Sequence, residues 1–392
     1  LSPCLISEDI GLDQMSTRKP NILVVSDPPV APGYLPRVRY LCDYLARKGY
    51  GVTLLTEDGK PLTFTHAYPI QTIRMYHGGT FEWLTKAIWT LLTDWYNRAF
   101  ASRFIHRLSG NEPYDLVLCS SFNDSPLGAA ARIARRLNIP LVCDIRDLEE
   151  QVNDSRYQYQ HQSQFLMPFR GIYRAIHRRR RNTVLRQAKA ITTISAWHAN
   201  FIRSFTANHV PVTIVYNGFD EKVFYPSDTP TTVFKISYIG SLFAWQKAGL
   251  EKVKRVIEAC KSSSILLDIH TPQQEPIAHE QLGEAVRESS IMLVLTSTET
   301  HGMLTTKFYE ALGCNKPVLC VPSDKGALAD LIAYTKAGIA TEDEEEIKAF
   351  IQGQYKQWKE NGYTHQQSVH REEFTREAQC RKLEEIIQQY LS

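Results

Sequence analysis

Short apolar runs alternate with amphipathic stretches along most of the chain from Asn21 onward, a pattern in which buried strands take turns with helices of one apolar face. Asn21 to Ser26 reads as a buried strand. Asp27-Pro28-Pro29 and Pro32-Gly33 then make a rigid loop before a helix from about Pro36 to Lys48, which Gly49 ends. Val52 to Thr56 is the next strand. The opening is therefore a βαβ unit, whose strands are expected to be parallel, with ligands at their carboxyl ends. The same alternation yields strands at Tyr114 to Ser120, Pro140 to Ile145, Ala190 to Ser195 and Val212 to Tyr216. Helices are expected from Pro126 to Leu137, in a long stretch ending at Ala188, and from Ala196 to Phe205.

Asn217-Gly218 has turn chemistry, and 217–230 reads as a linker. A second set follows: strands Phe234 to Ile239, Ile265 to Ile269 and Ile291 to Thr296, with helices from Ala248 to Cys260 and His279 to Glu288. Thr305 and Thr306 open a short helix that Gly313 stops, and Pro317 to Val321 is a further buried strand. From Thr341 the chain turns helical and charged, ending in a helix from about Arg371 to Leu391. Residues 1–18 carry no clear periodicity, and Met15 before a polar run is a candidate start.

Length and composition bound what these elements can be. At 392 residues the chain exceeds one typical domain, so two cores and a cleft between them are expected. A charge of +3 is nearly balanced and no binding motif for nucleic acid is present, which argues against that partner. The eight cysteines show neither CxxC pairs nor metal-ligand spacing, and Cys119, Cys143, Cys314 and Cys320 fall in or beside apolar runs as reduced core thiols. No apolar run approaches the length that spans a bilayer, and a cytoplasmic location is expected. The loop at Gly33 lacks the glycine spacing of dinucleotide folds, so NAD and FAD are not expected as cofactors.

Candidate chemistry concentrates at strand ends. Lys307 and Glu310 are three positions apart on one helix face near its N-terminus, an end that favours anions. The cation suits a diphosphate, and the carboxylate can accept from vicinal ribose hydroxyls; the same spacing also describes an ordinary surface pair. In the first half, Cys143-Asp144-Ile145-Arg146-Asp147 ends a buried strand with three charged residues. Arg146 and Asp147 are its candidate catalytic groups, Asp147 to position or deprotonate a hydroxyl. The bland alternative is an ion pair of Arg146 with Asp144 or Asp147 that fastens the loop. Gly33, preferred over Asp27, and Arg37 are candidates for an acceptor or phosphate loop.

These motifs in order resemble the GT-B glycosyltransferases, family four in particular. The carriers are Ile194-Ser195, Val215-Tyr216-Asn217-Gly218-Phe219-Asp220 at the crossover, Tyr238-Ile239-Gly240-Ser241-Leu242, and Lys307 through Pro322. The resemblance implies an α/β chain of two Rossmann-like doubly wound domains facing across a cleft: an acceptor domain at 19–218, a donor domain at 219–372, and a terminal helix at 373–392 packing back on the first. It implies sugar transfer from a nucleoside-diphosphate donor of the UDP or GDP type to a glycan or lipid-linked hydroxyl, with retention and without an Asp-x-Asp metal site. Donor contacts are then expected from Lys307, Glu310, Thr306, Gly302, Gly240, Ser241 and Lys247.

Two departures stand out. Many relatives carry a second glutamate where this chain has Gly302, and an arginine in the Gly240 to Lys247 turn where only Lys247 is cationic. The first departure motivates an alternative, a sugar-nucleotide-binding or glycan-assembly subunit without transfer activity. Aromatic and basic residues at Phe81 to Ile105 and Phe165 to Arg181, the latter ending Arg178-Arg179-Arg180-Arg181, suggest helices for a peripheral membrane contact at the inner face of the cell membrane, or simply core packing.

Overall fold

The computed structural model describes residues 19–27, 36–58, 65–75, 80–108, 114–121, 124–151, 170–260, 264–271 and 277–391. Residues 1–18 and Gly33 therefore lie outside the described residues, as do Phe165, Leu166 and Phe169. Two all-parallel sheets carry the fold, as the αβ alternation requires. The first has seven strands: β1 (Asn21–Ser26), β2 (Gly51–Glu57), β3 (Ile70–Ile73), β4 (Leu116–Ser121), β5 (Leu141–Ile145), β6 (Ala190–Thr193) and β7 (Val212–Ile214), in the order β3-β2-β1-β4-β5-β6-β7. The second has five: β8 (Phe234–Ile239), β9 (Ile265–His270), β10 (Ile291–Leu295), β11 (Val318–Val321) and β12 (Gly338–Ala340), in the order β12-β11-β10-β8-β9.

Every residue of β1, β4 and β5 after Asn21 is buried, which is why these strands read as unbroken apolar runs. β3 and β12 were not legible that way. They are edge strands of four and three residues with partly exposed side chains, too short for a period to emerge. The expected strand through Ser195 stops at Thr193, because Ser195 caps helix Ala196–Thr206 instead, its hydroxyl accepting from the His198 amide.

The buried charge at the end of β5 ties the first domain together. Asp144 is fully buried and accepts from Ser120 Oγ (2.8 Å), Thr192 Oγ1 (2.7 Å), and Arg37 Nε and NH2 (3.0 and 2.9 Å). Burial pushes its carboxyl up, but the Arg37 guanidinium and these hydrogen bonds outweigh burial and hold it below its ordinary value. Arg37 also donates to the Tyr216 carbonyl at 2.6 Å, on the segment that leaves for the second domain. Strands β4, β5 and β6, helix Pro36–Arg47 and the interdomain crossover thus meet at one carboxylate.

The chain crosses between domains twice, and the two crossings are bonded side by side. Phe219 N donates to Phe374 O (2.9 Å) and Arg376 N to Phe219 O (2.8 Å), a parallel bridge between Phe219 and Thr375. Helix Arg376–Gln388 then packs on the first domain: Cys380, Leu383, Ile386 and Ile387 join the core of Val38, Leu41 and Leu45, and Tyr44 donates to Glu384 at 2.7 Å.

The arginine run at 178–181 is largely committed internally, as the core-packing alternative expects. Arg178 and Arg181 pair with Glu150 (3.2 and 2.8 Å), and Arg180 donates to the carbonyls of Thr90 and Leu91, both at 2.7 Å, at the end of helix Thr80–Thr93. Only Arg179 of the four is exposed. No helix among the described residues is long and apolar enough to cross a membrane.

Removing one partner of a buried, hydrogen-bonded ion pair strands the other charge, at about 3–5 kcal/mol. Asp144→Ala is expected to destabilise by that amount in urea titration, with Arg37→Ala close behind. A loss below about 1 kcal/mol for both would mean that the pair does not organise the domain.

Candidate functional site

All strands being parallel, the carboxyl edge of each sheet gathers the loops able to hold a ligand. On the second sheet β8 is followed by Gly240, whose φ of 128° lies outside the range comfortable for other residues. A Cβ there would sit 2.9 Å from both Cε and Nζ of Lys307, so the missing side chain leaves room for the lysine to lie across the bare backbone. The Gly240 turn is itself rigid. Tyr238 is fully buried with its hydroxyl 2.6 Å from Ser241 O and 3.0 Å from Gln246 Oε1, and Gln246 also accepts from Phe243 N (2.9 Å) and donates to Leu295 O (2.8 Å). Neither Tyr238 nor Gln246 is conspicuous in the sequence, since only the folded turn reveals what they hold.

Lys307 is the second residue of helix Thr306–Gly313, capped by the Thr305 hydroxyl, which accepts from the Lys307 amide at 3.4 Å. Its ammonium lies 5.1 Å from the Tyr238 ring centroid and has no ion pair within 4 Å among the described residues. Burial pushes its pKa below 10.5, with Glu310 one turn on acting to raise it. A half-buried cation at a helix N-terminus beside open backbone is suited to an anionic ligand. Thr306, Ser241 and Lys247 are exposed around it, Lys247 opening helix Lys247–Ala259.

On the first sheet the structure redistributes the expected roles. Arg37 does not face a ligand; it is occupied by Asp144 and the Tyr216 carbonyl, because a buried carboxylate at that strand end requires a cation. Arg146 pairs with neither Asp144 nor Asp147 but with Asp27 at 2.9 Å, across the sheet from β5 to β1. Asp27, set aside in the sequence in favour of Gly33, also accepts from Ser121 Oγ at 2.9 Å. Burial raises its pKa to about 6 against the opposing pull of Arg146. Asp147 is exposed at the carboxyl edge, where Gln151 Nε2 donates to its Oδ1 at 3.1 Å.

Gln151 joins the two domains. Its Oε1 accepts from Leu148 N (3.3 Å) and lies 2.7 Å from His198 Nε2, while its backbone carbonyl accepts from His301 N (2.7 Å) in the second domain. His198 is fully buried, with Nδ1 2.7 Å from Ser195 Oγ; burial lowers its pKa to about 4 although Asp147 and Glu150 favour the charged form. A neutral ring donating from Nε2 and accepting at Nδ1 satisfies all of these partners.

Across the same seam, His301 stacks on Trp197 with centroids 5.7 Å apart. Gly302, at φ 63°, comes so close to the first domain that a Cβ would lie 2.7 Å from Ser195 Oγ and 2.8 Å from Trp197 Cβ. The position expected to contribute to donor binding is thus a point of domain contact, which is why no side chain stands there. Glu299 is exposed three residues earlier.

Comparison with known proteins bears on the fold. Residues 33–218 match the family model described as "Glycosyl transferase 4-like domain". No curated protein matches the sequence. Among solved structures, a sucrose-phosphate synthase from Thermosynechococcus elongatus is similar with a TM-score of 0.60 at 16% identity, covering 95% of this chain and 99% of that one. HepE of Anabaena in complex with UDP aligns with a TM-score of 0.62 at 14% identity over 94% and 100% of the two chains. The lipopolysaccharide outer core galactosyltransferase WaaB, in its apo form, gives 0.56 at 11% identity over 94% and 99%. At these identities the likeness is one of fold: two parallel-sheet domains of the GT-B type over nearly the whole chain.

The two shifted groups of the first domain act oppositely on stability. His198 is hard to protonate when folded, so its contribution is full above pH 6.5 and is lost as pH falls towards 4. Asp27 is hard to ionise, so its contribution is full below pH 3.8 and is lost as pH rises through 6. Melting temperature measured between pH 4 and 6 is expected to rise towards acid in His198→Gln, where only the Asp27 contribution remains, and to fall towards acid in Asp27→Asn, where only the His198 contribution remains. Equal slopes in wild type and both variants would contradict these environments.

Proposed function

We propose that this chain, which carries a glycosyl transferase 4-like domain within a two-domain GT-B framework, transfers a hexose-type sugar from a UDP- or GDP-type donor to a hydroxyl of a glycan or lipid-linked acceptor. A lipid-linked acceptor would set the reaction at the inner face of a membrane. The observation that carries the reading is Lys307: a half-buried ammonium at a helix N-terminus, over the bare backbone of Gly240. The bond from the sugar's anomeric carbon to the diphosphate oxygen breaks, the diphosphate leaves with the electron pair, and the acceptor oxygen forms the new bond on the same face as its hydroxyl proton passes to the departing diphosphate oxygen. Charge develops on the leaving diphosphate, so a fixed cation and helix-end amides placed there lower the barrier without a metal ion. Glu310, one turn further, is suited to the ribose hydroxyls.

Support for the donor class comes from HepE, solved with UDP and with UDP-glucose. Asp147, exposed at the first domain's carboxyl edge and steadied by Gln151, is the group we assign to orienting the acceptor hydroxyl. Arg146 serves indirectly, holding Asp27 beneath that edge. The alternative, a binding subunit without transfer, is favoured by Gly302 alone, and the contact of Gly302 with Ser195 and Trp197 supplies a reason for that residue that does not require loss of activity.

Calorimetric titration with UDP, GDP and inorganic pyrophosphate tests the donor grip. Lys307→Ala is expected to weaken both pyrophosphate and the preferred nucleotide about 10- to 100-fold, as loss of a charge-assisted contact would. Glu310→Ala is expected to weaken only the nucleotide. Affinity for either should fall as pH rises through the lysine's lowered pKa, before 10.5 is reached. Binding that ignores both substitutions would sink the assignment; tight donor binding with no transfer to any acceptor would favour the binding-subunit reading.

A further inference from the structure

Large exposed apolar side chains are concentrated on two helices of the first domain, away from the strand ends. Helix Thr80–Thr93 presents Ile88 (49% exposed), Trp89 (56%) and Leu92 (70%) along one face, and helix Arg170–Leu185 presents Ile172 (61%) and Tyr173. The helices are fastened together by Arg180, whose guanidinium covers the last carbonyls of the first. Exposed Arg179 follows Ile172 by seven residues, hence on the same face of its helix.

This apolar patch adjoins a basic groove. Helix Trp95–Arg107 begins where helix Thr80–Thr93 ends, and Asp94 between them pairs with Arg132 (2.8 Å) on one side and approaches Arg180 (3.9 Å) on the other. Between helices Trp95–Arg107 and Asp124–Leu137 runs an open groove of about 740 Å³ lined by Arg98, His106, Arg132, Arg135 and Arg136. Arg132 is paired with Asp94, and Arg135 donates to the neutral Gln187 at 2.9 Å. Arg98, Arg135 and Arg136 have no ion pair among the described residues. Three cations without a counter-charge among the described residues stand next to an indole and branched aliphatics held out in water. A phospholipid surface suits both, with phosphate for the arginines and an acyl boundary for the rings.

We propose that the Ile88–Trp89–Leu92–Ile172 patch and the Arg98–Arg135–Arg136 groove form one docking face for a bilayer containing anionic phospholipids. The aromatic and aliphatic side chains enter the headgroup boundary, and the arginines bind lipid phosphates beside them. The face lies on the helical flank of the first domain and includes none of the donor-site residues. It therefore stands or falls separately from the transfer reaction.

Co-sedimentation of the full chain with vesicles of phosphatidylglycerol and phosphatidylcholine, against phosphatidylcholine alone, is the test. Wild type is expected to bind the anionic vesicles and to lose binding as salt is raised. Each arginine near such a surface is worth about a factor of five, so Arg98→Ala/Arg135→Ala/Arg136→Ala should reduce partitioning by about two orders of magnitude. Trp89→Ser/Leu92→Ser should reduce it by more than about tenfold while nucleotide binding and melting temperature stay unchanged, because these side chains are exposed. No association with anionic vesicles, or association indifferent to both variants, would overturn the proposal. So would light scattering that shows a dimer broken by Trp89→Ser/Leu92→Ser, since the patch would then be a contact between copies. Inorganic phosphate that saturates the groove at millimolar concentration without displacing vesicles would likewise overturn the arginines' share.

Discussion

The Asp144 carboxylate, buried to zero exposure, is the constraint on which the first domain turns. An ionised group in that setting is tolerated only when every lone pair is answered, and here the answers come from three different parts of the chain: Ser120 on β4, Thr192 on β6 and Arg37 on the first helix. Because Arg37 reaches onward to the Tyr216 carbonyl, the same charge that fixes three strand ends also fixes the exit to the second domain. Arg146 and Asp147 follow Asp144 in sequence, so their starting directions are set by how firmly Asp144 is held. A strand end that looks, in one dimension, like a cluster of three charged site residues is in space one structural anchor, one buried partner for Asp27, and one exposed carboxylate.

The seam between domains obeys a related economy. The loop that leads from β10 to the Lys307 helix touches the first domain through backbone, at His301 N and at Gly302, as well as through the His301 ring on Trp197. Backbone contacts are short and positionally definite, and Gln151, whose carbonyl accepts from His301 N, contacts Asp147 and His198 through its side chain. Groups of the two domains are thus separated by very few bonds at the seam, although they lie far apart in sequence. Any relative movement of the domains would have to bend the paired crossings at Phe219 and Thr375 and break these contacts together.

How much of this could be read from the sequence follows from the range of each interaction. The buried strands were legible because burial on both faces leaves an unbroken apolar run, and the Lys307 helix because a threonine cap, a glycine stop and i, i+3 spacing are local signals. The partners of Arg37 and Arg146 were not, since they lie 107 and 119 residues away and nothing at the cation marks which aspartate it will meet. Gly302 likewise looked like the absence of a side chain; only the opposite wall, Ser195 and Trp197, shows that absence to be required. The arginine run at 178–181 was legible as charge but not as function, because its acids, Glu149 and Glu150, belong to a separate turn.

The terminal helix has a consequence for how the molecule is made. Tyr44 and its partner Glu384 are 340 positions apart, and Cys380, Leu383 and Ile387 pack on the first domain's Val38, Leu41 and Leu45. During synthesis the first domain is complete in sequence long before it is complete in space, and its flank over Val38 and Leu41 stays open while the entire second domain emerges. Contacts of such sequence separation close slowly, so the nascent chain carries an uncovered hydrophobic face through most of its translation. A chaperone that shields that face, or a ribosome that moves quickly through the second half, would shorten its exposure.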